Sequence, residues 1–119
     1  MNISKFLTSL VAVIAFIPAV AAARKDFIQL DGKWKYSNGD VKPPENWRET
    51  DFDDSQWLSG QAPLGYGNYQ LRTKIRSEKS PRPVVSYFRT SFVINDPNQW
   101  DTLKLKFKAD DGAVVYLNG

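Results

Sequence analysis

Residues 102–110, Thr-Leu-Lys-Leu-Lys-Phe-Lys-Ala-Asp, alternate apolar and polar side chains without a break. A period of two puts Leu103, Leu105, Phe107 and Ala109 on one face of a strand, with Lys104, Lys106 and Lys108 on the other. The same residues on a helix would be scattered around its circumference. The pattern therefore requires a β-strand with one face against a core and one in water, as antiparallel sheets provide. Asp110-Asp111-Gly112 has the composition of a turn, and Ala113–Leu117 reads as the strand running back. Asn118-Gly119 then carries the strongest short signal for a type I′ hairpin turn, which needs a strand on each side. The expectation is that a returning strand follows and that the chain is the front part of a longer domain.

Upstream, the same period recurs. In Val84–Ile94, Phe88, Phe92 and Ile94 share a face with Ser86 and Thr90, while Tyr87, Arg89 and Ser91 take the other. In Lys33–Tyr36, Trp34 and Tyr36 fall on one side and Lys33 and Lys35 on the other, between the turn dipeptides Asp31-Gly32 and Asn38-Gly39. From Val41 to about Leu71 the chain reads as loop, with Pro43, Pro44 and Pro63 and glycines at 60, 65 and 67. Trp47, Phe52, Trp57 and Leu64 recur along it. Aromatic residues at that density are not the composition of a disordered linker, so the loop is expected to lie packed on a sheet. No segment of the mature part predicts a helix.

The amino-terminal end has a different character. Lys5 precedes an uncharged apolar stretch, Phe6–Val20, and then come Ala21, Ala22 and Ala23. A cationic start, a short apolar run and small residues at the end are the marks of a secretory leader. A membrane span needs about 20 apolar residues, and Pro18 interrupts this run first. Residues 1–23 are therefore expected to be a signal peptide, cleaved near Ala23 or Ala22, and residues 24–119 the exported chain. No membrane span is expected in the mature chain.

What is missing bounds the chemistry. Of the 119 residues none is cysteine and none histidine. Disulfides, thiolate metal sites and Cys-His or Ser-His-Asp catalysis are excluded for these residues, and any core must hold without a staple. The net charge of +3 comes from well-mixed Lys, Arg, Asp and Glu, not from one basic block. A nucleic-acid partner would call for a clustered basic face, and none is expected. The Lys104, Lys106, Lys108 stripe reads as a solvated face that guards a sheet against edge-to-edge association.

Three short stretches could carry a ligand. Glu49, Asp51, Asp53 and Asp54 offer oxygen ligands to a structural Ca²⁺, but the spacing is not that of an EF-hand loop. A carboxylate pair for glycoside cleavage fits less well still, because neighbours on a turn seldom face one sugar from opposite sides. Turn chemistry is the simpler role: Asp and Ser bond nearby backbone amides while Trp57 anchors the bend. In Ala62–Tyr69, glycines flank Tyr66 and allow close backbone approach, so Tyr66 either stacks on a sugar ring or packs inward. Asp110-Asp111-Gly112 either presents carboxylates to sugar hydroxyls or a cation, or simply makes the hairpin.

Taken together, "WKYSNGD", "ENWRETDFDDSQWLSGQAPLGYG", "SYFRTSFVI" and "LKLKFKADDGAVVYLNG", in that order, resemble the galactose-binding-domain-like β-sandwich modules of secreted bacterial proteins. "FDDSQW" and "DDGAVVYLNG" are similar to stretches in the amino-terminal sugar-binding domains of family 2 glycoside hydrolases. The resemblance spans Lys33 to Gly119. It implies an all-β, antiparallel jelly-roll sandwich, incomplete at the carboxyl end, since jelly rolls use about eight strands. It further implies a module that accompanies an enzyme and is itself non-catalytic. The leading expectation is a carbohydrate-directed accessory module with Tyr66, Tyr69 and Asp111 as contact residues through stacking and hydrogen bonding, and with neither a catalytic nor a metal-ligating residue. Two alternatives stay open: a structural domain bracing the unseen catalytic domain of a secreted hydrolase (metallophosphoesterase or glycosidase), and one module of a cell-surface adhesion protein. The expected partner is carbohydrate or the protein's own downstream domain, and no cofactor is expected.

Overall fold

The structure is a computed structural model that describes residues 24–67 and 70–119. The expected signal peptide and Tyr69 lie outside the described residues. Five short strands and two 3-10 turns are the regular elements: β1 (Lys33–Ser37), β2 (Leu58–Gln61), β3 (Leu64–Gly65), β4 (Thr73–Lys74) and β5 (Tyr87–Arg89), with 3-10 turns at Glu45–Arg48 and Pro97–Gln99. The class is all-β, with no α-helix among the described residues. None of their helices is long and apolar enough to cross a membrane.

β1 is the centre. It pairs antiparallel with β2 on one side and β5 on the other, giving the order β2-β1-β5. The ladder places Lys35 opposite both Ser59 and Arg89, and Tyr36 opposite both Leu58 and Phe88. Opposed residues share a face, so Lys33, Lys35, Ser59, Gln61 and Arg89 form a polar side, while Trp34, Tyr36, Leu58 and Phe88 form an apolar one. This is the division that the period of two predicts for β1 and β5. The expected turns bracket β1: the Gly32 amide donates to the Gln29 carbonyl at 2.9 Å, and Gly39 has φ +84°. Tyr36 is the buried aromatic of the apolar side.

β3 and β4 make a second, parallel pair beside β2. The Arg72 and Thr73 amides both donate to the Pro63 carbonyl, at 3.0 and 3.2 Å, and the Ile75 amide donates to that of Gly65 at 2.8 Å. Thr73 Oγ1 ties the pair to β2 by donating to the Gln61 carbonyl at 2.8 Å. The approach is close enough that a Cβ on Gly60 would clash with Thr73 and Leu64.

The expected packing of the 41–71 loop on a sheet holds for its aromatic part. Trp47 stacks on Trp57 with ring centres 6.2 Å apart, Phe52 meets Trp57 edge-on at 5.7 Å, and Tyr87 of β5 meets Trp47 edge-on at 5.3 Å. Tyr116 closes the cluster against Trp47 at 5.8 Å, with the Arg48 guanidinium over its ring at 4.8 Å. A second aromatic group joins Phe27 to Phe92 and Trp100 at 5.5 and 5.4 Å.

Three expectations about strands need correction. β2 and β3 arise inside what reads as loop, and β4 just beyond it in residues with no strand reading, because strands this short carry no alternation to detect. The Val84–Ile94 strand is only the three residues of β5. No strand is assigned in 102–117. Alternation makes a segment ready for a sheet, but a strand exists only where a neighbour completes the hydrogen-bond ladder. Lacking that neighbour among the described residues, the apolar row stays in water, with Leu105 62% and Phe107 54% exposed. Asn118 and Gly119 nevertheless hold φ +60° and +107°, the left-handed values that the central pair of a type I′ turn adopts.

Candidate functional site

Arg89 organises the polar side of the sheet. β5 delivers it directly opposite Lys35, and the Glu45–Trp57 loop folds over it. Its Nε donates to Asp54 Oδ2 at 2.9 Å, and one Nη donates to the carbonyls of Trp47 and Glu49, the latter at 3.1 Å. The guanidinium carbon lies over the Phe52 ring, 5.0 Å from its centre. A planar group with five donors and a cationic face suits this mixture of carboxylate, carbonyls and aromatic ring. Among the described residues, no hydrogen bond uses its Nη2.

Beside Arg89 opens a cleft of about 690 Å³. Arg89, Lys33, Lys35 and Asp54 supply its charges, and Thr50, Ser59, Thr90 and Ser91 supply a rim of hydroxyls. Phe52 gives it an aromatic wall. Ser59 and Lys33 are exposed, and Arg89 and Asp54 are half-buried. Lys35 Nζ donates to the Trp57 carbonyl at 3.4 Å, which sets the reach of its side chain toward the loop. Such a surface can form many hydrogen bonds to a polyhydroxylated ligand while offering apolar contact at Phe52 and Trp34.

Tyr66 stands elsewhere, half-buried and outside the cleft lining. Its hydroxyl donates to the Asn38 carbonyl at 3.0 Å and lies 3.4 Å from Ser86 Oγ, while the Arg82 guanidinium covers its ring at 4.8 Å. Asp111 is exposed, and no hydrogen bond among the described residues joins it to Tyr66.

The acidic stretch divides its work. Asp53 Oδ1 accepts from the Ser55 amide at 2.9 Å, and bonding from the Ser55 amide and hydroxyl holds its carboxyl below the usual range. Asp54 pairs with Arg89. Among the described residues no group of three or more acidic, His or Cys side chains is placed to hold a metal ion.

A separate latch joins the turn after β1 to residues 76–79. Asp40 accepts from Ser77 Oγ at 2.5 Å and from the Glu78 amide at 2.8 Å, and Asn38 Nδ2 donates to the Arg76 carbonyl at 2.7 Å. The Ser77 hydroxyl and then the Glu78 amide lower the Asp40 pKa, since both bond the charged form.

Sequence reasoning misses the Arg89–Asp54 site. The one available signal is an arginine on a strand face otherwise flanked by Tyr87 and Ser91, with a surplus of aspartate in the facing loop. No family model matches the chain, and neither a curated protein nor a solved structure matches it.

Proposed function

We propose that the chain is a non-catalytic, carbohydrate-binding module of a secreted protein, built as a galactose-binding-like β-sandwich. The observation that carries this reading is the open cleft on the polar side of the β2-β1-β5 sheet, where four hydroxyl side chains, the Arg89–Asp54 pair and Phe52 converge. Sugars offer alternating hydroxyls and small apolar patches, and this lining answers both. Arg89 Nη2 donates to a sugar oxygen, Asp54 orients the guanidinium, and Ser59 bonds a neighbouring hydroxyl. The resemblance of the ordered motifs in Lys33–Gly119 to secreted sugar-binding modules points the same way, and the expected leader fits export.

Affinity electrophoresis of the full chain through gels containing soluble polysaccharides tests the reading. Retardation by at least one glycan is expected, weakened when Ser59 and Thr90 are both replaced by Ala. Unchanged mobility in every glycan gel contradicts it.

A second reading has its own observation. The exposed apolar row Leu103, Leu105 and Phe107 is suited to protein, so the module would brace a neighbouring hydrolase domain. Loss of solubility in the isolated chain, repaired by the rest of the parent protein, is the result expected from that role.

A further inference from the structure

The charges of the cleft are unequal. Lys33, Lys35 and Arg89 line it with a single carboxylate, Asp54, and Arg89 already neutralises that carboxylate at 2.9 Å. What the lining leaves without a carboxylate of its own is the pair Lys33 and Lys35, although Lys35 also lies within electrostatic reach of Asp53 outside the lining. The two lysines are two residues apart on β1, so they point to the same side with backbone origins about 7 Å apart. No salt bridge among the described residues involves either. Lys33 is exposed, and Lys35 has one weak bond to a carbonyl, so both ammonium groups have donors to spare. A neutral sugar needs hydroxyls and an aromatic wall but gains nothing specific from two cations held in register without a salt bridge. An acidic one does.

We infer that the cleft selects anionic polysaccharide, chains whose sugars carry carboxylate or sulfate groups, with Lys33 and Lys35 as the charge-reading residues. This rests on the carbohydrate reading above and narrows it to a ligand class. The acidic groups sit on the two ammonium ions while the hydroxyl rim and Phe52 hold the ring. The Lys104, Lys106, Lys108 stripe is the competing cationic surface, and it lies outside the lining of this cleft.

The test is native electrophoresis of the full chain in gels of polygalacturonate, dextran sulfate and a neutral galactan, at low and at about 0.5 M salt, where screening shortens the reach of exposed charges. The inference expects one of the two acidic polymers to retard the chain far more than galactan, and the stronger of them identifies carboxylate or sulfate as the preferred group. Replacing Lys33 and Lys35 by Ala should weaken that binding about three- to tenfold, the worth of two exposed ion pairs, with recovery in the Lys33→Arg, Lys35→Arg chain. High salt should remove the preference. Equal retardation by galactan, or an undiminished acidic preference in the Ala chain, overturns the inference and leaves the carbohydrate reading standing. Loss of the preference only when Lys104, Lys106 and Lys108 are replaced also overturns it. No retardation by any of the three polymers overturns both.

Discussion

Arg89 Nε meets Asp54 Oδ2 at 2.9 Å across a sequence separation of 35 residues, and this bond fastens the aromatic loop to the sheet. The arginine side chain is 16% exposed and also supplies the donors for the Trp47 and Glu49 carbonyls. Replacing Arg89 by Leu should cost about 2–3 kcal/mol, since a part-buried carboxylate and two carbonyls lose their partner together. Asp54→Asn should cost less, about 1 kcal/mol, because a neutral acceptor remains. Urea unfolding of the two variants and their combination measures this, and the double variant should fall short of the sum.

How much of this could be read from the chain alone differs from element to element. The two faces of β1, its bracketing turns and the inward packing of Trp47, Phe52 and Trp57 follow from local period and composition. β2 does not, because Leu-Ser-Gly-Gln has no alternation and its glycine is there for the close approach of Thr73. Residues 103–109 carry the cleanest strand pattern yet form no ladder, since pattern expresses readiness and pairing depends on a neighbour. The Arg89 site depends on a contact between distant segments, which no local window contains. Tyr66 stands out in sequence for its flanking glycines, and the fold bonds its hydroxyl to the Asn38 carbonyl and stacks Arg82 on its ring.

Gly39 holds φ +84°, and a Cβ there would collide with the Val85 carbonyl. Gly39→Ala should therefore destabilise the fold by about 2 kcal/mol or more, from left-handed strain plus displacement of the 83–85 segment. Thermal unfolding against the wild-type chain reads it directly. An Ala variant of equal stability would show that the turn is not clamped as described.

The Asp40 latch makes an acid-side prediction. Its folded pKa lies below the unfolded value, so the stabilisation is present above the ordinary carboxylate range. It is lost as pH falls from about 4 through the lower folded value. Protection of the Glu78 amide, the intrinsic exchange rate relative to the observed rate at the same pH, should fall in that window, because protonated Asp40 no longer accepts both donors. Asp40→Asn should show the lower protection already at neutral pH, with a flatter dependence of protection on acid.

The exposed row at Leu105 and Phe107 should govern self-association more than folding. Leu105→Ser with Phe107→Ser should change unfolding free energy by no more than about 0.5 kcal/mol, as substitutions at exposed sites do. The same variant should bind less of an apolar dye and sediment with less concentration dependence. A large loss of stability would mean that these side chains are buried in solution.

The polar side of the β2-β1-β5 sheet is the surface on which the whole account turns. The most direct measurement is a titration of the isotope-labelled chain with polygalacturonate or dextran sulfate fragments, followed by amide chemical shifts. Shifts should concentrate at Lys33, Lys35, Ser59, Thr90 and Ser91, with the 103–117 segment and Tyr66 unmoved. Saturable shifts centred on Tyr66 and Asp111 instead, with the cleft silent, would contradict it.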